Sequence, residues 1–521
     1  MLRQAVTPGG RDRIMLWLVP LLALAVSAPG LAFPFLSDDW ALLDAVSHGR
    51  IMTSPLGDFR PLVMATYRLD LGVWGLRPWG FHITNVLLIT VAAALLVRAA
   101  SSWGIEARLA AMSGLVFALH PYHVENAAWV AARSAPLLAV CCLMSLIRFE
   151  TWRASSRLLP AGALIWTEAA LLSKETAVSL PLILLLRWFC LRRAPDSRRI
   201  LLRGVLPVAL LVSLHFLVVR PLALGGLGRT LGSTFGPAWG GNVLGMLGAA
   251  ILPLDVEVLG GRFVPYGMMG LLAWLALMAV ALAGRRPSWR IATWGMAAGL
   301  ILLLPYAVGF EERYLFLPGA AFAVALAALV SGAPPLARRL VASGIVVVWS
   351  VCLVGQWRRW EEAARAGTAL MDDLVDAAAS PGIDQIVIAN APFRVQGGSV
   401  AGDFTAALAV LGARRIPVRS ATWVSYDSAE AEALAGPPVM EVVEDQRWIR
   451  VPVKAGEEDW PRLVWPRAAS YGATLSWDVI QVSRESPEVV RVGIQAAPGR
   501  WVMAWNEGRL IRIEGPGSAT R

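Results

Sequence analysis

Residues 14–44 read IMLWLVPLLALAVSAPGLAFPFLSDDWALLD, an apolar run that leads into two adjacent aspartates. The run from Ile14 to Phe35 is longer than the roughly 7–15 apolar residues of a signal peptide, so we expect an uncleaved first membrane span. Asp38 and Asp39 then lie at the exit of that span. What the pair can do depends on the side of the membrane it faces and on the polar groups it meets there.

The composition is that of a protein that crosses the membrane several times. Hydrophobic residues make up 56% of the 521 residues and charged residues 16%, and the mean hydropathy is +0.57. Soluble domains carry roughly 45–50% apolar and about 25% charged residues. The net charge is +10, but the arginines lie in short clusters between apolar runs rather than on one basic face, so we expect no nucleic-acid partner. The four cysteines all fall in apolar runs, which predicts no disulfide framework.

Eleven apolar segments are long enough, or nearly so, to cross a membrane. They are 14–34, 81–100, 108–120, 135–150, 159–172, 176–191, 203–220, 265–283, 291–309, 314–332 and 340–356. With the N-terminus in the cytoplasm, the Arg clusters of the short loops also fall inside, as the positive-inside rule requires: 98 and 108, 148–157, 192–203, 285–290, and 338 and 339. The sequence therefore predicts a transmembrane domain over 1–356 with about eleven helices.

The same topology places four polar segments on the outer face. They are 35–80, 120–134 (HPYHVENAAWVAARS), 173–175 (SKE) and 310–313 (FEER). The region 357–521 follows outside as a soluble domain, predicted to be α/β to mostly β, with a strand at IDQIVIAN and a helix at 402–412. We find no phosphate loop or metal-ligand cluster in the sequence of that region, so its own chemistry is not indicated.

The aspartate pair has two interpretations. The segment SDDWALLDAVSHG is typical of a short helix capped by Ser37 and ended by Gly49. Asp38 and Asp39 could simply favour the positive end of that helix. Alternatively, one of them is a catalytic base or a metal ligand at the membrane surface, where a carboxylate is less costly than deeper in lipid.

The other outer segments supply histidines and cations. After Pro121 we expect one helix that carries Glu125, Trp129 and Arg133 on one face, with His120 and His123 at its start. The histidines could bind a metal together with Glu125, could be structural, or could bind an anionic head group.

Lys174 stands out because Lys454 is the only other lysine in the chain. It either pairs with Glu175 or supplies a compact ammonium to a ligand. Arg313 is a second outer cation, and both suit a phosphate or pyrophosphate.

These blocks resemble the GT-C class of membrane glycosyltransferases, and most closely the membrane half of the O-mannosyltransferases that carry tetratricopeptide repeats. The similar blocks are DDW, FRPL (59–62), GFHITN (80–85), FALHPYHVENAAWVAARS (117–134), LSKETAVSLPLILLL (172–186) and ERYLFLP (312–318). They keep the family's order over roughly residues 30–320. This chain departs from the family in lacking the repeats, because a different C-terminal region follows.

The resemblance implies a catalytic carboxylate at Asp38 or Asp39 and a donor-phosphate side formed by Arg133, Lys174 and Arg313. We add four further substrate-binding candidates: His120, His123, Glu125 and Glu175. We expect no cofactor, although a divalent metal stays possible.

The predicted function is transfer of a sugar from a polyprenyl-phosphate-linked donor to a protein, glycan or lipid acceptor on the periplasmic face of a bacterial inner membrane. A lipid-linked-sugar flippase or a non-catalytic envelope-assembly protein is the alternative. A transporter would be expected to show an inverted hydropathy repeat, and we find none clearly.

Overall fold

The structure is a computed structural model. The residues it describes are 10–55, 57–226, 239–254, 263–283, 287–306, 311–395, 398–400, 403–414, 416–426, 440–443, 446–452, 462–465, 474–477, 480–486, 489–495, 500–506 and 509–513. By its internal contacts the chain divides into two units, which we describe separately.

The first unit is helical and contains the described residues up to Ala32, Gly49–Leu254 and Phe263–Gln356. Its helices are Gly10–Ser27, Pro61–Trp74, Pro78–Ser102, Ala107–Ala118, Val124–Ala128, Ser134–Arg153, Ala161–Leu171, Leu180–Leu191, Ser197–Leu224, Trp239–Ala249, Phe263–Ala283, Pro287–Leu303, Phe316–Gly332 and Pro335–Ala379, the last of which continues past Gln356.

Five stretches of the described chain are long and apolar enough to cross a membrane. They are Pro78–Ser102, Val130–Arg153, Ser197–Leu224, Glu312–Gly332 and Pro335–Ala379. Four shorter apolar helices accompany them, at Trp17–Ala32, Ala107–Ala118, Ala161–Leu171 and Pro265–Ala279. The chain is therefore a helical membrane protein. Each of the eleven predicted segments overlaps a helix, but the number of spans stays a prediction.

The predicted outer segment 35–80 contains the short helix expected after the aspartate pair, Asp39–Ser47, and a second helix that was not predicted, Pro61–Trp74. Helix Pro61–Trp74 starts with proline at its first position, where the missing N–H costs no hydrogen bond. It ends at Gly75, whose φ of 60° is readily accessible to glycine. Leu62 N–H donates to the carbonyl of Leu172 at 3.1 Å, which ties this helix to the chain just before Lys174.

Helix Ser197–Leu224 contains two π-helical stretches, Ile200–Val205 and His215–Val219. Such widened turns insert an extra residue and often occur at functional sites. The second stretch comes directly before Arg220, which is buried.

The second unit combines Phe33–His48 with the described chain from Trp357 onward. Helix Asp39–Ser47 packs on helix Phe404–Val410, and Phe33 contacts the Trp357 ring with centroids 5.6 Å apart. The segment that carries the aspartate pair therefore belongs with the C-terminal region. The predicted transmembrane domain, residues 1–356, had included this segment, which adjoins the first span.

Among the described residues of the second unit, eleven strands form two sheets. They are β1 (Gln385–Val395), β2 (Gly398–Ser399), β3 (Val418–Tyr426), β4 (Met440–Val443), β5 (Gln446–Pro452), β6 (Arg462–Trp465), β7 (Thr474–Trp477), β8 (Ile480–Ser486), β9 (Val489–Gln495), β10 (Arg500–Asn506) and β11 (Arg509–Arg512). The mixed sheet has the order β11-β10-β1-β3-β6, in which β1 is parallel to both neighbours. The second sheet, β4-β5-β9-β8-β7, is antiparallel. The boundary at 356/357 as a functional domain division stays a prediction.

Candidate functional site

Glu175 is the centre of an ion cluster in the first unit. Arg60 donates two hydrogen bonds to its carboxylate, from Nη2 to Oε1 at 2.9 Å and from Nε to Oε2 at 3.2 Å. Asp58 contacts Arg60 on the other side at 3.2 Å, and Arg220 Nη1 lies 3.7 Å from Glu175 Oε2. Burial by itself would raise the pKa of Glu175, but Arg60 and Lys174 outweigh it and lower that pKa to about 2. Glu175 is therefore a permanent carboxylate that organises the surrounding cations.

Lys174 is not the partner of Glu175. Its side chain is buried, and its Nζ lies 5.3 Å from the ring centroid of Tyr306 and 4.6 Å from that of Tyr314. These two rings stack on each other, with centroids 5.0 Å apart. Within the described chain, Nζ makes no hydrogen bond and no ion pair shorter than 4.0 Å. Burial, aided by the charge of Arg60, lowers the pKa of Lys174 to about 7 despite the opposing effect of Glu175.

Arg220 also has unused donors. It is buried, and its guanidinium lies 5.9 Å from the ring centroid of Phe216. Its Nε and Nη1 have no hydrogen-bond partner among the described residues. Buried donors of this kind normally find a partner, so their presence marks a place where a ligand can bind.

Arg313 is held by Glu125. The Arg313 backbone N–H donates to Glu125 Oε2 at 2.7 Å, and Nη1 donates to Oε1 at 2.6 Å. Its guanidinium covers the ring of Trp129 at 4.6 Å, and Glu311 lies 3.5 Å from Nη1. Tyr314 contacts both Arg313 and Lys174, so it connects this pair to the Glu175 cluster. Two of the predicted outer segments, 120–134 and 310–313, are therefore joined through Glu125.

The structure does not support a phosphate-binding role for Arg133. Its side chain is fully buried, with Nε donating to Asn85 Oδ1 at 2.7 Å and Nη2 donating to the Phe81 carbonyl at 2.8 Å. Nη2 also lies 2.6 Å from Asp70 Oδ2, and the guanidinium stacks on Tyr67 at 4.4 Å. Because the protein itself surrounds this guanidinium, we leave Arg133 out of the donor site.

The single helix expected after Pro121 is also wrong. Helix Val124–Ala128 ends at Trp129, whose backbone is extended, and a 3₁₀ turn follows at Val130–Arg133. Asn85 Nδ2 lies within hydrogen-bonding distance of the carbonyls of Asn126 and Trp129, and His82 Nδ1 lies 2.8 Å from the carbonyl of Ala127. The conspicuous His and Asn of GFHITN thus satisfy the carbonyl groups that the break exposes.

His120 and His123 lie among aromatic rings. His123 packs between Phe117 and Phe316, with centroids at 4.4 and 4.5 Å, and His120 packs edge-on against Trp349 at 4.9 Å. Burial lowers the pKa of His120 to about 4 and that of His123 well below its ordinary value. Burial therefore favours the neutral form of both rings, which weakens the interpretation that they bind an anionic head group. Over the described residues, no three His, Cys, Asp or Glu side chains converge as metal ligands.

The two aspartates differ in their surroundings in the second unit. Asp39 is buried, and its Oδ2 accepts the Leu36 N–H at 2.9 Å. Asp38 is half-buried and is the N-cap residue of helix Asp39–Ser47, without a side-chain capping bond. The expected cap at Ser37 is wrong, because Ser37 has a positive φ of 49° and lies one residue too early. The end of the helix is as predicted, with Gly49 at φ 75° after it.

Sequence reasoning missed three members of the first-unit cluster: Arg60, Arg220 and Tyr306. Arg60 lies in the FRPL block, so its motif was recognised but its partner, 115 residues away, was not. Arg220 gave a signal that was overlooked, since it is an arginine at the end of an apolar run on the predicted outer side.

Searches against known proteins support the resemblance. No family model matches the chain. Among curated relatives, it is similar to protein O-mannosyl-transferase Tmtc2 of Drosophila melanogaster, with 38% identity over 29% of this chain and 16% of that protein. The Tmtc1 protein of Drosophila melanogaster is 32% identical over 27% of this chain and 16% of the relative, and human TMTC2 is 31% identical over 22% and 13%. These alignments thus cover about one sixth or less of each relative.

Comparison with solved structures gave matches of low TM-score. ArnT from Cupriavidus metallidurans, bound to undecaprenyl phosphate, has a TM-score of 0.44 and 14% identity over 92% of this chain and 97% of that one. The oligosaccharyltransferase AglB from Archaeoglobus fulgidus, in complex with an inhibitory peptide and a dolichol-phosphate, has a TM-score of 0.42 and 13% identity over 73% and 62%.

Proposed function

We propose that this chain is a GT-C-type glycosyltransferase of a bacterial inner membrane. It moves a sugar from a polyprenyl-phosphate-linked donor to an acceptor, which is a protein or an envelope glycan or lipid. The transfer takes place on the periplasmic face, where the region from Trp357 onward forms a soluble domain. The partial similarity to O-mannosyltransferases supports the reaction class.

One observation carries the donor side of this proposal. Lys174 and Arg220 are buried cations near one carboxylate, Glu175. Arg220 Nε and Nη1 have no hydrogen-bond partner among the described residues, and Lys174 Nζ faces the Tyr306 and Tyr314 rings. The neighbouring carboxylates offset the positive charges of the cluster. A phosphate would therefore be bound by hydrogen bonds from the Lys174 and Arg220 side chains rather than by a large net positive charge. Charge-assisted hydrogen bonds from Arg and Lys are the strong contacts that phosphate recognition uses.

The remaining first-unit candidates have supporting roles in this proposal. Glu175 positions Arg60 and Arg220, and Glu125 positions Arg313, which stays a candidate for the donor phosphate. His120 and His123 are retained only as predicted substrate contacts, since their neutral rings lie among aromatic side chains.

The chemical step is assigned to the aspartate pair on the strength of the resemblance. A carboxylate of Asp38 or Asp39 accepts the proton of the acceptor hydroxyl as its oxygen forms a bond to the anomeric carbon. The bond between that carbon and the donor phosphate oxygen breaks, and the polyprenyl phosphate leaves with the bonding electron pair. The greater exposure of Asp38 favours it as the base.

The donor site can be tested by binding undecaprenyl phosphate to the purified full-length protein. Replacing Lys174 or Arg220 with Met should weaken binding by roughly tenfold to a hundredfold, because each removes a charge-assisted contact. Arg193→Met is the matched control, since Arg193 is exposed. Equal affinities in all four proteins would refute the donor site, and failure of the wild type to transfer sugar from any polyprenyl-phosphate donor would refute the reaction.

A further inference from the structure

An apolar cavity of about 340 Å³ lies within the first unit, apart from the ion cluster. Five helices line it: Pro78–Ser102, Ser134–Arg153, Leu180–Leu191, Pro287–Leu303 and Phe316–Gly332. Most of the lining is aliphatic, and cavities of this volume hold small ligands or parts of larger ones. An apolar cavity among membrane helices suits a hydrocarbon chain.

The cavity is elongated along the helices. Its lining includes both Leu180 and Cys190, which are at opposite ends of one helix and about 15 Å apart at 1.5 Å per residue. A single extended chain fits such a space better than a compact ring system. The lining also contains two aromatic residues, Trp103 and Trp294.

Two arginines lie at one end of this cavity. Arg187 is buried, donates from Nε to Glu150 Oε1 at 2.7 Å and places its guanidinium 5.1 Å from the Trp103 ring centroid. This contact leaves both of its terminal nitrogens without a hydrogen bond to the described residues. Arg290 is exposed and has no ion-pair partner in the part of the chain that the structure describes. The end with the arginines is the one that the Arg distribution predicts to face the cytoplasm.

We propose that this cavity binds one acyl chain of an anionic membrane phospholipid, with the lipid phosphate at Arg290 and the free end of Arg187. Basic residues between membrane helices are typical binding groups for anionic lipid heads, and the guanidinium fork matches a phosphate. The two arginines at one end favour an anionic head group over a neutral one. The aliphatic lining over the rest of the cavity favours an attached hydrocarbon chain. The inference does not depend on the proposed transferase activity.

Native mass spectrometry of the full-length protein, released from vesicles of phosphatidylglycerol and phosphatidylcholine in equal amounts, tests the proposal. The wild type should retain one phosphatidylglycerol. Arg290→Gln should reduce the preference for phosphatidylglycerol about fivefold, the effect of one arginine at a lipid surface. Arg193→Gln, which removes a nearby exposed charge outside the lining, should leave the preference unchanged.

A second variant tests the hydrocarbon part. Val324 lines the cavity and is half-buried, so Val324→Trp should fill the space and abolish retention of either lipid. Unchanged preference in Arg290→Gln would overturn the proposal even if Val324→Trp failed to fold. Equal retention of both lipids by the wild type would also overturn it. So would displacement of phosphatidylglycerol by added undecaprenyl phosphate, which would assign the cavity to the donor chain instead.

Discussion

Lys174 and Glu175 are adjacent in sequence, yet their side chains have different partners. Lys174 has an extended backbone (φ −162°, ψ 139°), while Glu175 begins a 3₁₀ turn. The change of backbone at this point sends the carboxylate to Arg60 and the ammonium to the Tyr306 and Tyr314 rings. A basic group in a buried position with a pKa of about 7 is poised to take up a proton when an anion arrives.

This depressed pKa predicts a pH dependence of donor binding. The bound phosphate favours protonated Lys174, so the affinity for undecaprenyl phosphate should be highest below pH 7. It should fall as the pH rises above 7, by at most about tenfold per pH unit, because binding then requires proton uptake. Dissociation constants of the wild type and Lys174→Met from pH 6 to 9 measure the effect. Ionisation of the phosphate contributes equally to both proteins, so identical pH profiles would argue against Lys174 as the titrating ligand.

The aspartate pair gives a prediction that separates capping from catalysis. Asn caps a helix about as well as Asp, and an amide oxygen at position 39 can still accept the Leu36 N–H. Asp38→Asn should therefore fold normally but lose about a hundredfold to ten-thousandfold in transfer rate, the usual cost of a missing general base. Asp39→Asn should lose less. Turnover and donor binding are measured side by side, and near-normal transfer by the folded double variant would return both residues to a structural role.

At the scale of elements, the segment from His120 to Ser134 shows where periodicity misleads. Glu125, Trp129 and Arg133 are spaced as on one helical face, but the helix ends at Trp129. The break is possible because Asn85 and His82, on another helix, donate hydrogen bonds to the freed carbonyl groups. It also allows Glu125 to bind Arg313 while Arg133 is buried elsewhere. No local pattern in 120–134 contains that information.

The buried Arg133 predicts a loss of stability rather than of donor affinity. Arg133→Met leaves Asp70 buried without its cation and Asn85 without a donor, and breaking such a pair costs about 3–5 kcal/mol. The variant should unfold at a clearly lower temperature in detergent, while Arg193→Met should match the wild type. An Arg133→Met protein of normal stability that binds undecaprenyl phosphate poorly would restore Arg133 to the donor site.

At the scale of the whole molecule, hydropathy predicted where the helices are. It did not predict which charged side chains on those helices contact one another. Each apolar run became a helix because hydrocarbon leaves backbone groups no partner but one another. The sequence segments that resemble the O-mannosyltransferases contain Lys174, Glu175 and Arg313, which lie in or beside one cluster. Arg60 and Arg220 complete that cluster from positions far away in the sequence. Which arginine meets which glutamate depends on the packing of helices, and a single sequence does not encode that in any local period.

The Arg distribution predicts the orientation of the whole chain. A topology reporter fused after Gly355 should be periplasmic, and one fused after Arg290 should be cytoplasmic, because the Arg clusters of the short loops then lie inside. Alkaline phosphatase and green fluorescent protein fusions measure the two sides. Signals from the same side at both positions would rule out the eleven-span arrangement.

The second unit is assembled from two pieces of chain that are made at very different times. Phe33–His48 leaves the ribosome long before Trp357, and at about 5–20 residues per second the interval is roughly 15 to 60 seconds. During that interval, helix Asp39–Ser47 lacks Phe404–Val410, the helix on which it packs. Its apolar residues Trp40 and Leu43, which are buried in the complete fold, belong to a helix that then lacks this packing partner. In a stalled or truncated nascent chain, the helix that follows Asp38 and Asp39 would therefore lack the helix on which it packs.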